Sequence, residues 1–132
     1  MSRILLIEDD PDNISLMTRL LEHHGYEIVV AEHARAGLEK AVEDRPDLIL
    51  MDLELPESPD RPPEPNVGLD ATRCLKSNPE TAGIPVIALT AHTMAQHRER
   101  IAEAGCDDFQ EKPIFPFQSL LDKISRYQQG GS

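Results

Sequence analysis

Short, continuously apolar runs alternate with stretches of helical periodicity along the chain, and this alternation constrains the fold more than any other feature. Ile4-Leu5-Leu6-Ile7, Ile28-Val29-Val30-Ala31 and Leu48-Ile49-Leu50-Met51-Asp52 are strand-sized runs, as is residues 84–90, with Pro85 near its start, where proline is tolerated. Between them, apolar residues recur at helical spacing. Residues 11–24 carry Ile14, Met17, Leu20 and Leu21, residues 34–43 carry Ala34, Leu38, Ala41 and Val42, and residues 116–127 carry Phe117, Leu120, Leu121 and Ile124. Residues 69–77 and 93–104 are also predicted to be helical, and 108–111 to be a short fifth strand. Asp10 suits an N-cap, Pro11 a first helical position, and Gly25 and Gly105 helix stops.

Five strands alternating with five helices imply an α/β fold, a doubly wound parallel sheet of the flavodoxin-like type. The strands are apolar throughout because helices are expected on both faces, and the crossovers are expected to be right-handed. In such sheets, chemistry collects at the carboxyl ends of the strands, near the point where strand order reverses. The first strand delivers Glu8-Asp9-Asp10, the third Asp52, the fourth Thr90 and the fifth Lys112-Pro113. A 2-1-3-4-5 strand order brings these four ends together. Taken singly, each has a plainer explanation: an Asp after a strand is often a turn residue, Asp10 a helix cap, Thr90 a β-branched strand residue, Lys112 a solvated lysine. Together they read differently. Clustered carboxylates either raise one another's pKa or hold a cation, and oxygen-only ligands favour a hard cation such as Mg²⁺. A hydroxyl and an ammonium beside them suit a phosphoryl group, and an aspartate can itself be the nucleophile.

The totals agree. With 132 residues, 39% hydrophobic, the chain suits one domain with a real core. Its formal net charge of -11 argues against nucleic acid or an anionic membrane as partner, both being polyanions. No apolar run is long enough to span a bilayer, and the start "MSRILLIEDD" lacks a signal-peptide layout, so a cytoplasmic location is expected. Cys74 and Cys106 lack C-x-x-C spacing and are expected to be partly buried free thiols.

The stretches "ILLIEDDP", "DLILMDLELP", "IPVIALTAH" and "DDFQEKPI" resemble, in order and spacing, the signature segments of two-component response regulator receiver domains. The resemblance implies that Asp52 is the phosphoacceptor. Glu8, Asp9, Asp52 and the backbone carbonyl of Glu54 would hold Mg²⁺, with Mn²⁺ as a substitute. Thr90 and Lys112 would engage the phosphoryl group, Phe109 would be the switch aromatic, and Pro113 would follow the lysine, often through a cis bond. Glu54 and His92 would tune the phosphoryl lifetime. The implied donor is a histidine kinase or a histidine phosphotransfer protein. The implied output is a downstream protein bound at the face of the fourth helix, fifth strand and fifth helix. Such a domain assists its own phosphorylation and dephosphorylation but is not otherwise an enzyme. A receiver over residues 1–128, a flexible tail over 129–132 and no DNA-binding output domain are expected, as in a stand-alone regulator.

One departure stands out. The glycine that opens the third helix in this family falls at Gly68 instead of position 60, an insertion of about eight residues. The proline-rich segment, about 57–67, contains Pro59, Pro62, Pro63 and Pro65 and is expected to be stiff and extended. It is either a tolerated surface insertion or a recognition element beside Asp52. Other functions remain open on the residues alone. A receiver-like domain that signals without phosphorylation is one. A haloacid-dehalogenase-type phosphohydrolase would need a second Asp where Glu54 stands, and a nucleotide- or flavin-binding domain would need a glycine-rich loop where Glu8-Asp9-Asp10 stands.

Overall fold

The computed structural model describes residues 2–91 and 95–129. Strands β1 (Arg3–Ile7), β2 (Glu27–Ala31), β3 (Leu48–Asp52), β4 (Val86–Thr90) and β5 (Asp108–Glu111) alternate with helices α1 (Pro11–His23), α2 (Ala34–Asp44), α3 (Val67–Ser77), α4 (Ala95–Ala104) and α5 (Phe117–Gln129). The sheet is parallel throughout, in the order β2-β1-β3-β4-β5, as expected from the sequence. Its register aligns the strand ends: Ile7 pairs with Met51, Asp52 with Leu89, and Thr90 with Glu111.

Successive strand residues point to opposite faces, and both faces are buried. Leu5, Ile7, Ile49, Met51, Val86 and Ala88 pack beneath α2, α3 and α4, with Leu69, Leu75 and Ile101. Ile4, Leu6, Leu48, Leu50, Ile87 and Leu89 pack beneath α1 and α5, with Met17, Leu21, Leu120 and Ile124. Each such Leu or Ile contributes about 1.5–3 kcal/mol by leaving water, so the central strands are the most firmly held part of the chain.

The caps follow the local sequence. The Asp10 side chain accepts from the Asp12 N–H at 3.1 Å, Pro11 opens α1, and Gly25 adopts φ 91° just beyond its end. At α2, His33 Nδ1 accepts from the Ala36 N–H, while the Ala34 and Arg35 N–H groups donate to the carbonyls of Pro56 and Glu57. The loop after β3 therefore satisfies the open end of a neighbouring helix. Three boundaries differ from expectation by two residues. α3 starts two residues early, at Val67, and β4 starts at Val86 because the Ile84 N–H is taken by the Thr81 carbonyl in a turn. α5 runs through Gln129. The expected start of the fourth helix at residue 93 lies outside the described residues. Both cysteines are free, Cys106 half-buried and Cys74 exposed.

The proline-rich segment is not extended end to end. It folds back so that Leu55 and Glu64 form an isolated antiparallel bridge, with the Glu64 N–H donating to the Leu55 carbonyl at 3.0 Å and the Arg61 N–H to that of Ser58. The prolines leave these two donors free to close the loop, and Leu55 anchors it with a fully buried side chain. The chain then re-enters α3 at Gly68, whose N–H donates to the Leu53 carbonyl at 3.0 Å. A Cβ at Gly68 would stand 2.4 Å from the Asp52 carbonyl oxygen and 2.5 Å from Leu53 Cα, both backbone atoms that cannot step aside. Gly68→Ala is expected to destabilise the protein by about 2–4 kcal/mol, whereas Gly83→Ala, where a Cβ meets nothing within 4 Å, should change it by less than about 0.5 kcal/mol. Urea denaturation of both variants checks this.

Candidate functional site

The strand ends converge on one cleft. Its walls include Glu8, Asp9, Asn13, Asp52, Glu54, Pro65, Thr90, His97 and Lys112. The hydrogen-bond ladders run past the strands and pin these residues by their backbones. Glu8 N–H donates to Ala31 at 3.0 Å, Leu53 N–H to Leu89 at 3.2 Å, and Lys112 N–H to Thr90 at 2.7 Å. Glu8, Asp52 and Thr90 are buried, at 1%, 6% and 3% exposure.

Two buried carboxyls share one ammonium. Lys112 Nζ donates to Glu8 Oε1 at 2.8 Å and lies 3.2 Å from Asp52 Oδ2. Two adjacent carboxylates with one cation leave an uncompensated buried charge, so one carboxyl keeps its proton. The shorter contact favours Glu8 as the charged partner. Burial tends to raise the Glu8 pKa, but hydrogen bonds from the Asp52 carboxyl and from Lys112 prevail and hold it below the usual range. Asp52 moves the other way. Burial, then the hydrogen bond and charge of Glu8, push it up to about 8, against the opposing pull of Lys112 and of the Glu54 N–H, which donates to Asp52 Oδ1 at 3.1 Å. Asp9 is raised, first by burial and then by the charge of Glu8. Burial opposes the charge on Lys112, but its two carboxyl partners win and its pKa is raised. Removing the ammonium would leave Glu8 uncompensated, an effect of about 3–5 kcal/mol for buried pairs.

Ligand oxygens of Glu8, Asp9 and Asp52 all lie within 4.8 Å of one another. An all-oxygen set of this kind fits a hard divalent cation. Of the other residues singled out in the sequence, Glu54 is exposed at the rim. Pro113 follows a cis peptide bond with Lys112. Phe109 stands apart from the cleft, half-buried on β5, with Arg98 Cζ of α4 5.3 Å and Lys123 Nζ of α5 5.7 Å from its ring centroid. His92 lies outside the described residues. Two polar cleft residues among those described escaped the sequence reading, Asn13 and His97, and His97 Nε2 is 3.2 Å from Thr90 Oγ1. Asn13 looked like any first-turn helix residue. His97 is seven positions beyond Thr90, and nothing in the helical pattern of residues 93–104 marks it as facing the cleft.

The raised Asp52 pKa has a definite consequence for stability. The folded state holds this proton more tightly than the unfolded chain, where the carboxyl titrates near 3.8, so Asp52 lowers stability as pH rises from about 4 through about 8. Asp52→Asn, which cannot ionise, is expected to raise the thermal midpoint at pH 8 by several degrees and to flatten its decline across that window. Thermal scans in chelator check this; equal slopes for the two proteins would refute it.

A family profile described as the response regulator receiver domain matches residues 4–125. The polar-differentiation response regulator DivK of Brucella anthropi is 40% identical over 111 residues, covering 84% of each chain. The receiver domain of the sensor histidine kinase PA1611 from Pseudomonas aeruginosa PAO1, solved with a magnesium ion coordinated in its active site cleft, superposes with a TM-score of 0.84 at 31% identity, over 99% of this chain and 98% of that one. The signal receiver domain of a signal transduction histidine kinase from Syntrophus aciditrophicus gives 0.85 at 31% identity, over 98% and 92%. Profile, relatives and strand order agree, and the chain belongs to the response regulator receiver domain family.

Proposed function

We propose that the chain relays a signal by accepting a phosphoryl group on Asp52 from a phosphohistidine, and that the occupancy of Asp52 switches a protein-binding face. The observation that carries this reading is the juxtaposition in one cleft of a buried carboxyl, an ammonium 3.2 Å from it, a buried hydroxyl and two further carboxyls. The donor would be a histidine kinase or a histidine phosphotransfer protein.

A carboxylate oxygen of Asp52 attacks phosphorus in line. An O–P bond forms, and the P–N bond breaks with its electrons going to the imidazole, which keeps one proton and leaves neutral. Attack requires the ionised carboxyl, so the proton that Asp52 holds near neutrality must leave first. Receivers of this family bind Mg²⁺ at an acidic pocket, and Glu8, Asp9 and Asp52 make such a pocket here, to which the Glu54 backbone carbonyl would add a further ligand. Bound there, Mg²⁺, or Mn²⁺ in its place, would favour the ionised carboxylate and offset phosphoryl charge. Lys112 turns its ammonium from the carboxyls to a phosphoryl oxygen, and Thr90 donates its hydroxyl to another. Phe109, between Arg98 and Lys123, then repacks, and the surface of α4, β5 and α5 changes for a downstream protein. Pro113 shapes the turn that carries Lys112. Glu54 at the rim, and His92, tune how readily water reaches the acyl phosphate.

Neither competing reading fits as well. A domain that signals without phosphorylation has no use for a buried carboxyl held in an unfavourable setting. A dehalogenase-type hydrolase needs an acid/base Asp where the exposed Glu54 stands. Intact-protein mass after incubation with acetyl phosphate tests the proposal. Wild type is expected to gain one phosphoryl group only with Mg²⁺, and Asp52→Asn none. A gain in Asp52→Asn, or no gain in wild type from either acetyl phosphate or a phosphorylated kinase, would overturn it.

A further inference from the structure

We propose that His97 is a positioning residue that couples the Thr90 hydroxyl to α4, so that α4 shifts when a phosphoryl group on Asp52 draws that hydroxyl away. The inference rests on the phosphoacceptor reading above and adds the link through which one helix senses it. His97 sits in the first turn of α4, half-buried, on the wall of the cleft that holds Asp52 and Lys112. Its Nε2 lies 3.2 Å from Oγ1 of Thr90, which is itself buried.

A hydroxyl has one proton to give and lone pairs to offer. Where Nε2 accepts, the Thr90 O–H is turned towards α4 and must leave the ring to reach a phosphoryl oxygen. Where Nε2–H donates, the same movement of Oγ1 lengthens the contact. In both tautomers His97 and the phosphoryl group make opposing demands on Thr90.

Helix α4 is the element able to respond. Among its described side chains, Ile101 and Ala104 are buried and His97 is half-buried, while Arg98, Glu99, Arg100, Ala102 and Glu103 are exposed. The central strands, by contrast, are buried on both faces. A helix with so little apolar anchorage belongs to the low-stability end of a fold, where one hydrogen bond matters. Loss of one such bond corresponds to about a fivefold change in the balance between two positions of α4.

The test follows the backbone amides of residues 101–104 by ¹H–¹⁵N NMR, more than a helical turn from the cleft residue His97. Wild type, His97→Leu, His97→Gln and Thr90→Val are compared with and without Mg²⁺ and beryllofluoride. In wild type, beryllofluoride is expected to displace these amides. In His97→Leu and in Thr90→Val, which keeps the volume of the threonine, the unliganded amides should already lie displaced along the same line. The further change on adding beryllofluoride should be reduced severalfold. His97→Gln, which keeps a polar nitrogen at similar reach, should behave like wild type. His97→Leu responding as wild type does would overturn the inference, as would unliganded Thr90→Val amides at their wild-type positions, a measurement that stands even if His97→Leu folds poorly. Equal loss in His97→Leu and His97→Gln would also overturn it. A silent wild type that also takes up no phosphoryl group would bring down the phosphoacceptor reading and this inference with it, whereas a responsive wild type with an equally responsive His97→Leu leaves that reading intact.

Discussion

The contact of one ammonium with two buried carboxyls, Lys112 with Glu8 and Asp52, is the constraint to which the rest of the site answers. The three groups come from the ends of three strands, β1, β3 and β5. Each would be unfavourable in a dry interior alone, and together they still lack one positive charge. That shortfall puts a proton on Asp52 in the absence of other charge. It also makes the cleft receptive to whatever supplies the missing cation or rearranges the ammonium.

Such an arrangement survives only on a rigid support. The strands are apolar on both faces and packed beneath helices on each side, and their ladders continue through Glu8, Leu53 and Lys112 beyond the formal strand ends. The loop after β3 adds a second support. It caps α2 with the carbonyls of Pro56 and Glu57, buries Leu55, and returns at a glycine so close to the backbone of Asp52 and Leu53 that no side chain fits. The inserted residues therefore enlarge the loop without loosening its ends, as expected when extra length carries little entropic cost and the closing contacts are kept.

Burial is sparser elsewhere. Among its described side chains, helix α4 meets the site through His97 and the core through Ile101 and Ala104. Its Arg98 and Lys123 of α5 both lie over the ring of Phe109 on β5. A fold that packs Asp52 firmly and one neighbouring helix more sparsely is suited to turning a local change of charge into a change of surface.

Most of the architecture was legible in the sequence. Continuous apolar runs separated by helical periodicity dictate a parallel sheet covered on both faces, and Asp10, Pro11, Gly25 and Gly105 marked helix ends, since caps and left-handed turns depend on local chemistry. The acidic, hydroxyl and ammonium residues were legible as strand-end groups. Their pairing was not. Which carboxyl Lys112 approaches more closely, and so which keeps the proton, depends on ångström differences in side-chain placement between strands up to 104 residues apart. The fold-back of the proline-rich loop turned on two free N–H groups and a buried Leu55, which composition cannot reveal. His97 on α4 meets Thr90 on β4 through the packing of the two elements, which no local pattern sets. By itself, then, the sequence determined the layered fold and the chemical types at its strand ends, because burial patterns and caps are short-range properties of the chain. Only the tertiary structure decided which of those groups share a proton, a cation or a hydrogen bond, because those energies depend on distance and burial across elements remote in sequence.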